Sequence, residues 1–373
     1  MYRIILSGGG TGGHIYPAVA VAEALRRRLG DRVELLFVGA EGKMEMEKVP
    51  ALGYRIVGLP VAGLQRKLTL QNLALPVKVW KSLRRARRTI RDFGADAVAG
   101  FGGYASAPVL WSAQRMGIPT LIQEQNSYAG VTNKILAAKA RKICVAYDGM
   151  ERFFPAGRIV MTGNPLRGTF SGQTESGRAA LRAEALHYFG LEEDKPVLLV
   201  VGGSLGTRTL NDMMKRWVDA ITAAGEIQVI WQTGKYYERE MSEFMSARSD
   251  RGIWRGAFIE RMDLAYAAAD LVMSRSGAGT VSELCLIGKP ALFVPSPNVA
   301  EDHQTKNARA LVEKNAAEMI PDCEAVEHGI PAAIALLKDD ARRCELAGNI
   351  LKLARPDAAD RIADEILMMI EGK

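Results

Sequence analysis

The chain has 373 residues, 48% of them apolar and 24% charged. This is a globular composition, too long for one ordinary core, so two domains are expected. Four widely spaced cysteines (Cys144, Cys285, Cys323, Cys344) with no CxxC pair argue against a disulfide framework or zinc site and suit a reducing cytosol. No apolar run approaches the roughly 20 residues of a membrane span. The net charge of +7 is uneven: residues 1–163 hold 24 basic and 11 acidic residues, the remainder 25 and 31. A localised basic field points to a polyanion, whether nucleic acid, an acidic membrane or a phosphate-rich substrate.

In chain order, Met1–Ser7 runs straight into glycines. It is too short for the apolar region of a signal peptide and reads as a first strand at Ile4–Leu6. The turn Gly8–Gly13 follows, then His14 and a helix expected from about Pro17 to Leu29. Val33–Val38 is a second strand leading to a polar stretch. Ala97–Gly100 leads through Gly102-Gly103-Tyr104 to another helix. Thr120–Ile122 ends in Gln123-Glu124-Gln125-Asn126, and Lys142–Ala146 follows. The rhythm restarts at Pro196–Val201, which enters a second glycine turn, Gly202–Gly206, and continues with Gln228–Trp231, Leu271–Met273 and Ala291–Val294. Strand–helix alternation of this kind predicts parallel sheets covered by helices in two doubly wound domains, joined within Pro165–Lys195. The tail Ala341–Ile370 is helical by periodicity, with a break near Pro356.

Glycine lets backbone amides approach a ligand, and a helix starting just beyond aims free N–H groups at an anion. Gly8-x-Gly10-x-x-Gly13 fits the dinucleotide fingerprint, with Glu41 placed for a ribose. His14 and Tyr16-Pro17 directly after the glycines, and the second turn at Gly202, count against nicotinamide binding. His14 is either a packing residue or a group that takes a proton from a hydroxyl. Gly277–Glu283 opens a helix after a strand, so its amides form an anion site. Glu283 beside it either complements the helix dipole or accepts two ribose hydroxyls. Gln304 can both donate to and accept from a sugar. Residues 62–91 include Arg66, Lys67, Trp80, Arg84, Arg85, Arg87 and Arg88. They form either a packed amphipathic helix with a solvated basic face or a peripheral membrane contact, each cation contributing roughly 1 kcal/mol at an anionic surface. No nucleic-acid-binding motif accompanies the charge, so a nucleic-acid partner is not expected.

Six motifs occur in one order: Gly9–His14 with Tyr16-Pro17, Gly100–Tyr104, Gln123–Asn126, Gly163–Arg167, Gly202–Gly206 and Arg275–Glu283. Together they resemble the MurG family of bacterial UDP-N-acetylglucosamine (UDP-GlcNAc) transferases over essentially the whole chain. The resemblance implies an α/β GT-B fold, with two Rossmann-like doubly wound parallel-sheet domains and an interdomain cleft. The boundaries it suggests are an acceptor and membrane-facing domain at 1–163, a donor domain at 164–345, and a final helix at about 346–373 packing back on the first. It implies inverting transfer of GlcNAc to lipid I through a β(1→4) bond, giving lipid II for peptidoglycan synthesis, by a peripheral enzyme on the cytoplasmic face of the cell membrane. Other cell-wall synthesis enzymes are further partners that it admits.

Carried over by motif, Thr11, Gly12, Gly13 and Asn126 should face the donor sugar, and Arg167 and Ser204 the diphosphate. Ile259 should meet uracil through its backbone. Ala278, Gly279, Thr280 and Glu283 should hold phosphate and ribose, and Gln304 the sugar. Tyr104 is assigned with the basic stretch to the acceptor and membrane side. Some family members have two glutamines where this chain has His303-Gln304. His14 and Glu124 are both candidate bases. No Asp-x-Asp occurs, so a tightly bound cofactor or metal is not expected; magnesium is compatible, though no motif requires it. Another GT-B sugar transferase, a Rossmann oxidoreductase and a non-catalytic membrane-docking protein are the rival readings.

Overall fold

In a computed structural model of the chain, the structure describes residues 1–61, 75–166, 175–203 and 205–372. The chain divides into two compact units, Met1–Gly168 with Arg355–Lys373, and Thr169–Ala354.

Among the described residues, unit 1 carries a seven-stranded sheet of β1 (Tyr2–Ser7), β2 (Val33–Ala40), β3 (Arg55–Leu59), β4 (Ala97–Gly100), β5 (Thr120–Glu124), β6 (Lys142–Val145) and β7 (Ile159–Met161), ordered β3-β2-β1-β4-β5-β6-β7. All its pairings are parallel. The helices are α1 (Gly12–Leu29), α2 (Glu45–Ala51), α3 (Leu75–Phe93), α4 (Ser106–Arg115) and α5 (Val131–Ala137). Ile4, Ile5 and Leu6 are wholly buried, as a parallel strand covered on both faces requires. β1 pairs with β2 on one side and β4 on the other. The loops after β1 and β4 therefore emerge side by side where the strand order reverses, the usual ligand end of such a sheet.

Two sequence expectations shift here. The first helix begins at Gly12 rather than Pro17, so His14 lies in its first turn and not on a loop. Pro17 lies just past the first four N–H groups, which have no intrahelical partner, and lacking an N–H it forfeits one bond, the one to the Gly13 carbonyl. The polar stretch after β2 holds both α2 and β3.

Unit 2 has a six-stranded parallel sheet among the described residues: β8 (Val197–Val201), β9 (Gln228–Gln232), β10 (Ile253–Gly256), β11 (Leu271–Ser274), β12 (Ala291–Phe293) and β13 (Glu318–Met319), ordered β10-β9-β8-β11-β12-β13. Its helices are α6 (Glu175–Phe189), α7 (Arg208–Ala224), α8 (Glu238–Met245), α9 (Met262–Ala268), α10 (Ala278–Ile287), α11 (His303–Val312), α12 (Ala325–Lys338) and α13 (Asp340–Lys352). Trp231 is fully buried and donates its indole N–H to Asn211 Oδ1 at 2.9 Å, satisfying the polar atom of a large core residue. β8 and β11 are neighbours, so the second reversal places the loops after them together.

The broken tail divides between the units. α13, which takes in residues 346–352, belongs to unit 2, and α14 (Ala358–Glu371) to unit 1. α14 buries Ile362, Ile366 and Met369 in the core shared with Val19, Ala22 and Leu25 of α1. Asp360 pairs with Arg27 (2.6 Å) and Arg28 (3.2 Å), Asp364 pairs with Arg28, and Glu365 pairs with Lys142 (2.9 Å). Partly exposed ion pairs contribute little, so the apolar face carries most of the docking energy.

Candidate active site

In unit 1 the loop after β1 leads into α1, whose N-cap Thr11 is extended. His14 is half-buried. Its Nδ1 lies 2.9 Å from the Gly9 carbonyl and 3.3 Å from Thr11 Oγ1. A carbonyl can only accept, so Nδ1 carries the proton, and in the neutral ring Nε2 is then the basic nitrogen. Gly102, from the loop after β4, makes room for that edge of the ring: a methyl there would sit 3.0 Å from Nε2. Thr11 and Gly13 are exposed and Gly12 half-exposed beside it.

Glu124 is the other candidate base. It is buried, and both its oxygens are engaged. Oε1 accepts from the backbone N–H (3.1 Å) and side-chain amide (3.3 Å) of Asn126; Oε2 accepts from Gly130 N–H (3.1 Å) and Asn133 Nδ2 (2.8 Å). Four donors on one carboxylate make it the organiser of the loop that follows β5. Asn126 is oriented by it.

The basic face also changes. Arg66 and Lys67 lie outside the described residues. On α3, Ala86 and Ile90 are buried, while Val77, Val79 and Trp80 are at least half exposed. Arg84 lies over the Trp80 ring at 5.5 Å. Arg85 pairs with Glu41 (2.5 Å) and Arg88 with Asp92 (3.2 Å), while Arg87 is exposed. The Glu41 carboxylate considered for a ribose is thus in an ion pair. Tyr104 is 61% exposed at the loop after β4.

In unit 2, a cavity of about 480 Å³ opens at the carboxyl ends of β8 and β11, lined by Gly202, Gly203, Thr207, Gly277, Thr280 and Gln304 among others. The first turns of α7 and α10 border it, and no side chain caps either helix. Their N-terminal amides and dipole ends suit an anion. Ala278 and Gly279 begin α10. Glu283, one turn further, is half-buried and accepts from the Tyr266 hydroxyl at 2.9 Å. Burial raises its carboxyl above the usual range, and that hydrogen bond opposes the rise. Gln304 Oε1 accepts from Ser296 N–H at 2.9 Å.

Ile259 donates its N–H to Gln232 Oε1 (3.1 Å), and Gln232 donates in turn to the Gly203 carbonyl (2.9 Å). The Ile259 N–H is thus engaged within the protein. Arg167 and Ser204 lie outside the described residues. Sequence reasoning left unassigned Arg275, whose guanidinium joins Val294 O (2.7 Å) to Asp322 (2.5 Å), with Thr209 donating to the same Asp322 at 3.1 Å. Arg275 and Asp322 both line the cavity. Arg275 stood inside a quoted motif, whereas Asp322 and Tyr266 had no local signal. Among the described residues, no group of three or more His, Cys, Asp or Glu is placed to hold a metal ion. No helix among them is long and apolar enough to cross a membrane.

Residues 4–145 match the glycosyltransferase family 28 N-terminal domain and residues 197–362 its C-terminal domain. A UDP-N-acetylglucosamine–N-acetylmuramyl-(pentapeptide) pyrophosphoryl-undecaprenol N-acetylglucosamine transferase of Parabacteroides distasonis is 56% identical over 372 residues, 100% of this chain and 99% of that protein. The chain belongs to the MurG family. A Porphyromonas gingivalis family member of the same description is 53% identical, covering 99% of this chain and 96% of its own length. The crystal structure of Acinetobacter baumannii MurG superposes with a TM-score of 0.76 at 28% identity, covering 98% of this chain and 99% of that one. The chain's two parallel-sheet α/β domains have the GT-B fold of MurG. A Neisseria meningitidis UDP-GlcNAc 2-epimerase shares the fold (TM-score 0.68) at 12% identity.

Proposed function

We propose that this chain transfers GlcNAc from UDP-GlcNAc to lipid I, giving lipid II. The observation carrying this reading is full-length MurG membership joined to a cavity bordered by two helix N-termini that no side chain caps. In this reading unit 2 (Thr169–Ala354) is the donor domain and unit 1 the acceptor domain. The α7 and α10 amides, with Arg167, Ser204, Ala278, Gly279 and Thr280, hold the diphosphate. Glu283 accepts the ribose hydroxyls, the Ile259 carbonyl meets uracil, and Gln304 and Asn126 meet the sugar with Thr11, Gly12 and Gly13.

His14 Nε2 takes the proton of the acceptor hydroxyl as its oxygen attacks the anomeric carbon and the bond to UDP breaks. One displacement inverts an α-linked donor to a β(1→4) product. Positive charge on the sugar ring and negative charge on the departing diphosphate grow together. Amides and cations already aimed at the diphosphate therefore stabilise the transition state more than the ground state. The exposed Trp80 with Arg84 and Arg87 supports peripheral docking on an anionic bilayer, and the lipid-linked acceptor supports placement at the cytoplasmic leaflet.

The deciding assay offers labelled UDP-GlcNAc, UDP-glucose and UDP-galactose with a lipid I analogue. Transfer of GlcNAc alone is expected. Preference for another sugar, or no transfer, overturns the reading.

A further inference from the structure

Glu45 opens α2, and its side chain is wholly buried. Oε1 accepts from the N–H of Ala40 at the end of β2 (2.9 Å), and Oε2 from the N–H of Gly10 in the glycine turn (3.0 Å). The socket is shaped around this carboxylate. A methyl at Gly39 would lie 2.5 Å from Glu45 Cγ, and one at Gly9 would overlap Oε1. Two converging N–H donors select a carboxylate over a carboxamide, whose NH₂ would confront one of them.

The Gly10 N–H and the Gly9 C=O are opposite ends of one planar peptide group. That carbonyl is the acceptor for His14 Nδ1–H. The Glu45 carboxylate and the His14 imidazole are therefore joined through a single peptide unit: Oε2 accepts at its nitrogen end, and the ring donates at its oxygen end. We propose that Glu45 is a positioning residue for His14, acting through the Gly9–Gly10 peptide to fix the ring with its proton on Nδ1 and its lone pair on Nε2. A negative charge at the N–H end polarises the peptide and strengthens its carbonyl as an acceptor. It plays the part that a directly bonded carboxylate plays behind a catalytic histidine. The same contact places an internal anion on the Gly10 amide, one of the donors with which a dinucleotide fold would receive a phosphate. The inference rests on His14 being the base.

Histidine-selective ¹⁵N labelling suits the test, since the chain has four histidines and His14→Ala assigns one signal pair. In the unaltered protein, neutral His14 is expected to carry its proton on Nδ1; a proton on Nε2 overturns the proposal. In Glu45→Gln the tautomers are expected to mix. Its kcat should fall about tenfold to hundredfold, the range for groups that orient a histidine from behind, with the KM for UDP-GlcNAc unchanged. A folded Glu45→Gln with parental kcat and tautomer overturns the proposal. Glu45→Asp keeps the charge with a shorter reach, so it should fall between the two; should Glu45→Gln not fold, parental values in Glu45→Asp count against the idea equally. If His14→Ala retains parental turnover, the base reading fails by itself, and the tautomer shift in the Glu45 variants still reports the coupling.

Discussion

Tyr266→Phe isolates the hydrogen bond that favours the ionised form of Glu283. Burial raises the Glu283 carboxyl above its ordinary range, and the Tyr266 hydroxyl, 2.9 Å away, opposes the rise. A hydrogen bond to an ionised group contributes about 1.5–3 kcal/mol. At 1.4 kcal/mol per factor of ten, its loss raises donor KM near neutral pH by at most roughly tenfold to hundredfold. If Glu283 accepts the ribose hydroxyls as proposed, it does so as a carboxylate, so donor affinity is full above its folded-state pKa and falls as pH drops through it. In Tyr266→Phe that fall begins at higher pH, and raising the pH restores KM. The stability sign is opposite. A raised carboxyl favours the folded state below the unfolded-state pKa, and this contribution is lost as pH rises through the folded value. Ionised Glu283 therefore costs stability at neutral pH, and Glu283→Gln should raise the Tm of the ligand-free protein while weakening donor binding. The assay is the KM for UDP-GlcNAc against pH for parent and Tyr266→Phe. Superimposable profiles would refute the reasoning.

His14→Ala should lower kcat about a hundredfold to ten-thousandfold, the range for general-base catalysis, with UDP affinity by calorimetry unchanged; turnover near the parent's would remove His14 as the base. Because Arg85 and Arg88 are paired with Glu41 and Asp92, Arg84→Gln with Arg87→Gln should weaken anionic-vesicle binding more than Arg85→Gln with Arg88→Gln. At about 1 kcal/mol per cation, the first pair should lose roughly thirtyfold; equal losses in co-sedimentation would count against this orientation. Burial lowers the Lys289 ammonium to about 8, against a partial rise from Asp270. A folded-state pKa below the unfolded one gives stability that is present at high pH and lost as pH falls through about 8. Lys289→Met should flatten the rise in Tm between neutral and alkaline pH, and an unchanged slope would show that other groups set it.

Much of this architecture was legible because buried parallel strands read as continuous apolar runs: Ile4–Leu6 and Val197–Val201 mark the two central strands. Short or half-buried strands such as β3, β10 and β13 carry no such run and gave no signal. The start of α1 was misplaced because proline is favoured at a helix's first position, whereas here glycines supply that turn. At the site, motif order pointed to His14 and Glu283. It gave no hint that Glu124 would be enclosed by four donors, nor that Glu45, in a stretch read only as polar, would reach the glycine turn. The Glu45 contact with Gly10 joins two loops 35 residues apart, and the donors on Glu124 come from the irregular loop and short helix just after β5; hydrophobic periodicity contains neither.

Gly103 and Gly117 both have positive φ but obey different constraints, and the difference can be measured. It has φ +84°, and a methyl there would overlap the Gly9 carbonyl, the group that receives His14 Nδ1–H. Gly117 has φ +76° with nothing within 4 Å of such a methyl. Alanine at either position carries a similar backbone cost of about 1–2 kcal/mol, which a domain stable by about 5–15 kcal/mol tolerates. Only Gly103→Ala must also move the Gly9 carbonyl, and with it the imidazole. Reacting groups displaced by about 1 Å can lose on the order of a hundredfold in rate. Gly103→Ala should therefore lose more stability than Gly117→Ala by thermal melting, and kcat should collapse in the first and stay near the parent's in the second. UDP binding, proposed for the unit 2 cavity, should be the same in both. Equal kcat in the two variants would mean that the Gly9 carbonyl does not set the histidine's position, and the glycines at 102 and 103 would then serve the fold of the turn alone.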